Sequence, residues 1–82
     1  MNNKNMSVIA YANGWTMWCY NDFDCTLEKI FKPKFFDKIH TLCAVGDIIM
    51  IVAQDGTADA VIVSLKDKHV TIKTKNVVKF ED

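Results

Sequence analysis

The spacing of apolar residues divides the chain into three parts. Residues 8–20 contain two short apolar runs on either side of Asn13-Gly14, and short apolar runs return after Asp47. Between them, in residues 27–43, apolar side chains recur every three to four positions. That spacing is typical of a helix, whereas short runs bounded by turn residues are typical of strands. The pattern predicts strands at both ends and one or two short helices between them.

The first part predicts a β-hairpin whose turn is Asn13-Gly14. Asn-Gly between apolar runs is a strong hairpin signal, because both central residues of a type I′ turn need a positive φ. Alternation along the second strand gives one face Trp15, Met17 and Cys19 and the other face Thr16, Trp18 and Tyr20. Since both faces carry large apolar side chains, we expect both to be covered.

The middle part predicts two helical turns or short helices. Thr26 is a suitable N-cap for the first, and Pro33 lies near the first turn of the second, where a missing N–H has little cost. Phe35 and Phe36 are expected in the core rather than in a ligand site, because so small a chain needs its large side chains there.

The third part contains two turn signals, Gly46-Asp47 and Asp55-Gly56, around the apolar run DIIMIVA. They predict a strand followed by a hairpin return. In this interpretation Asp47 and Asp55 are turn residues whose carboxylates bind local backbone, not a catalytic pair. Gly56 is expected to have a positive φ, which a β-branched residue would not tolerate.

Two further strands, HVTIK and NVVKF, are predicted after the Lys66-Asp67-Lys68 turn. Residues 47–80 are therefore expected to form a bent antiparallel meander, with residues 26–42 over one opening. The expected fold is mainly β with one or two short helices (α+β), as a small SH3-like or OB-like bent antiparallel barrel. Residues 8–82 form this single domain, and the polar residues 1–7 are a flexible arm unless a partner orders them.

Length and composition favour a folded subunit of an assembly. Half of the 82 residues are apolar and only one is proline, which excludes a disordered linker. A chain of this length buries a small core, so a partner that covers more surface would stabilise it.

The charges argue against a nucleic-acid partner. Ten acidic residues balance ten basic ones, and every basic residue is lysine, so the bidentate contacts of arginine are missing. Residues 26–46 and 65–82 are net basic, and residues 1–25 and 47–64 are net acidic. This alternation suits a self-complementary contact, but it is also compatible with solvated faces that differ in charge.

The cysteines and histidines do not form a recognisable site. Cys19, Cys25 and Cys43 lack CxxC spacing and are expected as reduced core residues. A zinc site that combines them with His40 is the alternative, although only half of a ligand motif is present. Because GxSxG, HExxH and a glycine-rich phosphate loop do not occur, we expect neither an enzyme nor a cofactor. No leader sequence or apolar run long enough for a membrane span is seen.

One resemblance emerges from residues 15–72. The run WCYNDFDCTLEKI, followed by KFFD and VGDIIMIVAQDG, resembles a recurrent module of bacteriophage virion proteins. Its pattern is an aromatic strand, a short helix, a turn that begins with glycine, and GDxIxVxxxDG before valine-rich strands. The matching residues are Trp18, Tyr20, Phe36, Asp37, Gly46, Asp47, Ile49, Ile51, Asp55 and Gly56. The chain departs from the pattern at Lys34, where the module has glycine.

The resemblance implies a structural role in the virion, as a capsid decoration, head-fibre or tail-associated subunit. Such a subunit would assemble in the bacterial host cytoplasm, bind capsid or tail proteins, and form a homo-oligomer, with a trimer as one option. Within residues 8–18, the side chains expected to bind the partner are Val8, Tyr11, Trp15 and Trp18. The alternative is a stand-alone SH3-like module of a bacterial cell that binds a peptide or a polysaccharide.

Overall fold

The computed structural model describes residues 1–81, so Asp82, the last residue of the expected domain, lies outside the described part. Strands and helix follow in the order β1 (Met6–Ala12), β2 (Trp15–Asp22), α1 (Leu27–Ile30), β3 (Ile48–Ala53), β4 (Gly56–Ser64) and β5 (Thr71–Lys79). Three short 3-10 turns cover Asn3–Asn5, Asp37–Ile39 and Lys66–Lys68. The prediction of a mainly β chain with short helices is confirmed.

The five strands form one open sheet in the order β1-β2-β3-β4-β5. The hairpin of β1 and β2 and the meander of β3, β4 and β5 are antiparallel, as predicted, but β2 and β3 are parallel. A parallel pair needs a crossover, and the chain between Asp22 and Asp47 provides it through α1. The sheet is therefore mixed, and the expectation of a wholly antiparallel arrangement was wrong.

One face of the sheet carries the core. Residues from β2, β3 and β4 alternate inward, and α1 and the following turn pack over them. The side chains that are almost fully buried are Tyr20, Leu27, Ile30, Phe36, Ile39, Ile49, Ile51 and Ile62. Tyr20, Phe35 and Phe36 contact one another edge to face, with ring centroids 5.0–5.7 Å apart. Both phenylalanines thus belong to the core, as the sequence predicted.

The opposite face, which we call the outer face, is defined by Met17, Cys19, Ile48, Met50, Val52 and Val61. Cross-strand register places Met17 beside Ile48 and Ile48 beside Val61, so these three form a continuous row. Residues directly opposite in a sheet point to the same side. The outer face is only partly buried, and it lacks the layer that covers the core side.

In the middle segment the predicted N-cap is present, but the helices are shorter than predicted. Thr26 is the N-cap of α1, and its hydroxyl accepts a hydrogen bond from the Lys29 N–H at 3.3 Å. The second helix is reduced to the 3-10 turn Asp37–Ile39, and Pro33 precedes it by one turn. Between them Lys34 has a left-handed φ of +70°.

Two turn expectations need correction. At Asn13-Gly14 only Gly14 has a positive φ, at +98°, so the turn is not type I′, although the hairpin is present. The strands predicted as HVTIK and NVVKF are one strand, β5. Asn76, with φ +54°, forms a β-bulge there, because Asn76 and Val77 lie opposite the single residue Ala58.

Gly56 is needed for space and not for a positive φ. It begins β4 in an ordinary extended conformation, directly opposite Lys79 of β5. A Cβ at this position would overlap the Val78 carbonyl oxygen and approach Leu27 Cδ1 to 2.9 Å. The sequence identified the correct residue for the wrong reason.

The N-terminal residues are placed against the sheet. Strand β1 begins at Met6, two residues before the first apolar run of the sequence at Val8. The Asn2 N–H donates to the Tyr20 hydroxyl at 3.2 Å, and Met1 and Met6 pack against the core. The mobility expected for residues 1–7 in solution stays a prediction.

Candidate protein–protein interface

Within residues 1–81, strand β1 forms one edge of the sheet and pairs only with β2. Its sequence, MSVIAYA, contains no charged residue and no proline. A β-bulge at Ile9 interrupts the register, because Val8 lies opposite Trp18 and Ala10 opposite Met17. The side chains of Ile9 and Tyr11 are 49% and 79% exposed. The structure thus presents an apolar strand with a free backbone edge.

The opposite edge of the sheet, β5, has a different character. It carries Lys73, Lys75 and Lys79, and the bulge at Asn76 interrupts its ladder. Charged residues, especially lysine, and bulges are the devices by which proteins prevent an edge strand from pairing with another chain. The bulge at Ile9 is such a device on β1, but it exposes an isoleucine instead of a charge. The two edges therefore differ in their protection against pairing.

The four predicted partner-binding residues do not share one surface. Val8 lies opposite Trp18 and Tyr11 opposite Thr16, so these side chains are on the core side of the sheet. Trp15 is on the outer side and is 38% exposed. Trp18 is half-buried against the core. Val8, Tyr11 and Trp18 thus lie on one side of the sheet, with Trp18 half-buried, and Trp15 lies on the other side.

Ile9 belongs to the same edge and was missed by the sequence interpretation. The bulge removes it from the alternation that assigns faces to the other residues of β1. A signal was present, because the run VIAYA contains no polar residue and so has no visible period of two.

Asp47 fixes the strand next to this edge. It is 2% exposed, and its carboxylate accepts hydrogen bonds from the Thr16 N–H at 2.9 Å, from Trp18 Nε1 at 3.0 Å and from the Ala44 N–H at 3.0 Å. Only the bond from Ala44 is local, so Asp47 is more than the turn residue predicted from the sequence. It joins the start of β2 to the loop that leads into β3.

The electrostatics of Asp47 favour the ionised form. Burial by itself raises the pKa of this carboxyl, but the hydrogen bonds from Trp18, Thr16 and Ala44 outweigh it and hold the pKa below its ordinary value. The carboxylate has its hydrogen bonds satisfied within the chain, which is the behaviour of a structural group.

Asp55 also acts over a long distance in the sequence. Its Oδ1 accepts a hydrogen bond from the Leu27 N–H at 2.9 Å, and its Oδ2 accepts one from Lys79 Nζ at 3.2 Å. Leu27 begins α1, so a residue of the β3–β4 turn satisfies a free N–H at the helix start. The Leu27 N–H and the Lys79 ammonium group lower the pKa of Asp55.

Two other pairs link separate segments. The Tyr20 hydroxyl donates to Asp22 Oδ2 at 2.7 Å, which lowers the pKa of Asp22, while burial raises the pKa of Tyr20. The Asp37 carboxylate contacts His69 Nδ1 at 2.7 Å and accepts the Val70 N–H at 3.0 Å. The His69 contact holds the pKa of Asp37 below its usual range. The sequence interpretation missed the latter pair because 32 residues separate its members.

Asp37 and His69 lie beside a shallow cleft of about 280 Å³. Its apolar lining includes Phe31, Pro33 and Phe36, and lysines lie at its margin. Because Asp37 also binds backbone of the segment before β5, its contact with His69 joins two loops. The cleft is slightly below the volume of most small-molecule sites, about 300–1,000 Å³.

The described residues 1–81 contain no group of three or more His, Cys, Asp or Glu side chains arranged to hold a metal ion. Cys25 is buried in the core, Cys19 lies on the outer face, and Cys43 Sγ donates to the Ile39 carbonyl at 3.1 Å. Burial raises the pKa of Cys43 to about 11. The three thiols therefore have separate environments.

Comparisons with models of protein families, with curated proteins and with solved structures gave no match to this chain. Within residues 1–81, no helix has the length and apolar character needed to cross a membrane. The edge strand β1 is thus the feature from which a function can be argued.

Proposed function

We propose that this chain is a structural subunit that docks on a larger protein assembly by adding β1 to the sheet edge of a partner. The observation that carries the proposal is the difference between the two edges of the sheet. β5 bears lysines at Lys73, Lys75 and Lys79, whereas β1 bears no charge. An apolar edge without charges is a hazard in a free monomer and an advantage in a subunit that pairs there.

Strand addition also suits the side chains of β1. In this mode of recognition backbone hydrogen bonds provide affinity and side chains beside the strand provide specificity. Val8 and Tyr11 lie together on the core side of the sheet, and both are exposed. They can fill pockets of a partner while the backbone of β1 extends its sheet.

We further propose that the assembly is a bacteriophage virion and that the partner is a capsid or tail subunit. The support is the resemblance of residues 15–72 to modules of capsid decoration, head-fibre and tail-associated proteins. Lys34 occupies the position of the module's glycine and has a φ of +70°, which glycine adopts without strain. The backbone of the middle turn is therefore compatible with the module's pattern.

The proposal can be tested with particles purified on a density gradient from the infected host. Mass spectrometry should detect the chain in many copies per particle. After its removal, added purified chain should co-sediment with the particles, and Ile9→Lys should abolish this binding. Amide exchange should show that the N–H groups on the free edge of β1, which do not pair with β2, gain protection in the particle.

Val77→Lys is the matched control, because Val77 is 45% exposed on β5 and Ile9 is 49% exposed on β1. Both changes add one lysine to an exposed edge, but only Ile9→Lys should prevent co-sedimentation. Equal binding by both variants would reject docking through β1. Absence of the chain from purified particles would reject the virion role.

The alternative is a stand-alone SH3-like module of a bacterial cell that binds a peptide or a polysaccharide. The cleft lined by Phe31, Pro33 and Phe36 is the observation that favours it. That function requires a free monomer whose binding is lost on Phe31→Ala and retained on Ile9→Lys. The two variants therefore separate the alternatives, because each function depends on a different surface.

A further inference from the structure

On β2 and β3 the outer face is more apolar than a solvent-facing sheet surface. The strands β2 and β3 contribute Met17, Cys19, Ile48, Met50 and Val52, and β4 contributes Val61 together with the polar residues Thr57 and Asp59. An antiparallel sheet with one face in water normally alternates apolar and polar residues, whereas strands buried on both faces are apolar throughout. β3 reads IIMIVA and so has the composition of a strand covered on both sides.

The described chain covers only one of those sides. Helix α1 and the turn that follows it pack on the core side, where Ile49 and Ile51 are fully buried. On the outer face Met50, at the centre of β3, is 38% exposed. Residues 1–81 thus leave this face without a second layer.

We propose that a second copy of the chain covers the outer face, with the two sheets packed against each other around a two-fold axis. The apolar side chains of β2 and β3 suit self-packing, and they are bordered by Asp59, which lies directly opposite Met50. The charged residues of the outer face lie on one side, at β4 and β5. In the register of these strands Asp59 lies opposite Lys75, and Val61 lies opposite Lys73. Because both signs are present, each copy brings a carboxylate and ammonium groups that can oppose those of the other.

The area of the face is sufficient for a weak contact between two copies. Five strands at the usual spacing, with about six residues each, give a surface of roughly 20 Å by 20 Å. Two copies in contact would bury about 800 Å² in total, which is below the standard size of a specific interface and within the range of weak, transient ones. We therefore expect a reversible dimer whose population rises with concentration. In face-to-face packing of this kind the strand directions lie within about 30° of each other.

Sedimentation velocity of the full chain over a wide concentration range tests the dimer. The parent should shift from monomer to dimer as concentration rises, and Met50→Lys should raise the dissociation constant at least tenfold. Circular dichroism establishes that the variant is folded. If the lysine variant does not fold, Met50→Thr replaces it in the test. Threonine is favourable in a strand, and its shorter, more polar side chain should also raise the dissociation constant.

Val77→Lys adds the same charge away from the outer face and should dimerise like the parent. A parent that stays monomeric at every concentration, or a Met50→Lys variant that dimerises normally, would overturn the inference. The inference does not rest on docking through β1. Ile9→Lys should lose the particle and keep the dimer, so loss of the dimer in that variant alone would assign dimerisation to β1 and reject the outer face.

Discussion

The indole Nε1 of Trp18 donates a hydrogen bond to the buried carboxylate of Asp47 at 3.0 Å, across 29 residues of sequence. The same carboxylate accepts the backbone N–H of Thr16 and of Ala44. Trp18 is in β2 and Asp47 directly precedes β3, so this group fixes where the parallel pair begins. It also holds β2 in place, on which the free edge strand β1 is built.

Asp47→Asn should lower the free energy of unfolding by about 2 kcal/mol. Both carboxylate oxygens of Asp47 accept hydrogen bonds, but asparagine keeps only one acceptor oxygen. Its NH₂ group cannot accept, so at least one buried N–H donor is left without a partner. Trp18→Phe removes a single donor and should cost less, about 1 kcal/mol. Urea denaturation gives the free energy of unfolding. Tryptophan fluorescence can follow it in Asp47→Asn, whereas circular dichroism is used for both variants because Trp18→Phe removes a fluorophore. Asp24→Asn, at an exposed position, is the control, and an equal result for Asp24 and Asp47 would contradict this role.

The same carboxylate should make stability sensitive to acid. The folded pKa of Asp47 lies below the ordinary value, so its contribution is fully present above the unfolded pKa of about 3.9. The contribution is lost as the pH falls through the folded pKa. Urea midpoints measured from neutral pH down to about pH 3 should therefore fall less for Asp47→Asn than for the parent. Parallel curves for the two proteins would show that Asp47 does not contribute to the acid transition.

Asp55 should act as a remote cap of α1. Asp55→Ala removes the acceptor of the Leu27 N–H and should lower the melting temperature by about 5 °C. Asp55→Asn keeps an acceptor oxygen and should melt close to the parent, since the contact with Lys79 is exposed. Thermal melts compare the three proteins. If the alanine and asparagine variants lose equal stability, the charge of Asp55 matters more than the cap.

Local signals in the sequence predicted the hairpins well. Asn13-Gly14 and Asp55-Gly56 lie between apolar runs at hairpin spacing, and both turns are present. Thr26 was correctly identified as an N-cap, because a capping residue contacts a backbone N–H only three positions ahead. These features depend on neighbours in the chain, so the residue pattern is sufficient to predict them.

Features set by distant segments were not predictable in this way. The parallel pairing of β2 with β3 depends on the path of the crossover after Asp22, which turn signals do not encode. The bonds from Thr16 and Trp18 to Asp47 and the contact of Asp37 with His69 join residues about 30 positions apart. For the candidate interface, composition indicated an apolar N-terminal segment, but only the register shows which side chains share a surface.

Gly56→Ala tests a close approach that only the structure reveals. The added Cβ would overlap the Val78 carbonyl oxygen, which is backbone and cannot move without disturbing the pairing of β4 and β5. We expect a loss of about 2 kcal/mol, as for an overpacked core site. Gly14→Ala is the comparison, because a Cβ there meets open space and the cost is only that of the positive φ, about 1 kcal/mol. The steric explanation would be contradicted if urea unfolding showed a larger loss of stability for Gly14→Ala than for Gly56→Ala.

Lys34→Gly should stabilise the chain. Lys34 is exposed and has a φ of +70°, a conformation that strains a residue with a Cβ, and its carbonyl accepts the Asp37 N–H at 3.2 Å. Glycine keeps this carbonyl and relieves the strain, so the free energy of unfolding should rise by about 0.5 kcal/mol after the entropic cost of glycine. Lys32→Gly, two residues earlier at a negative φ, should lose about 0.5 kcal/mol and controls for the removed charge. Denaturation at equal ionic strength compares them. Opposite signs would show that the middle turn prefers the glycine of the virion module, whereas equal losses would show that Lys34 is unstrained and would remove that support for the resemblance.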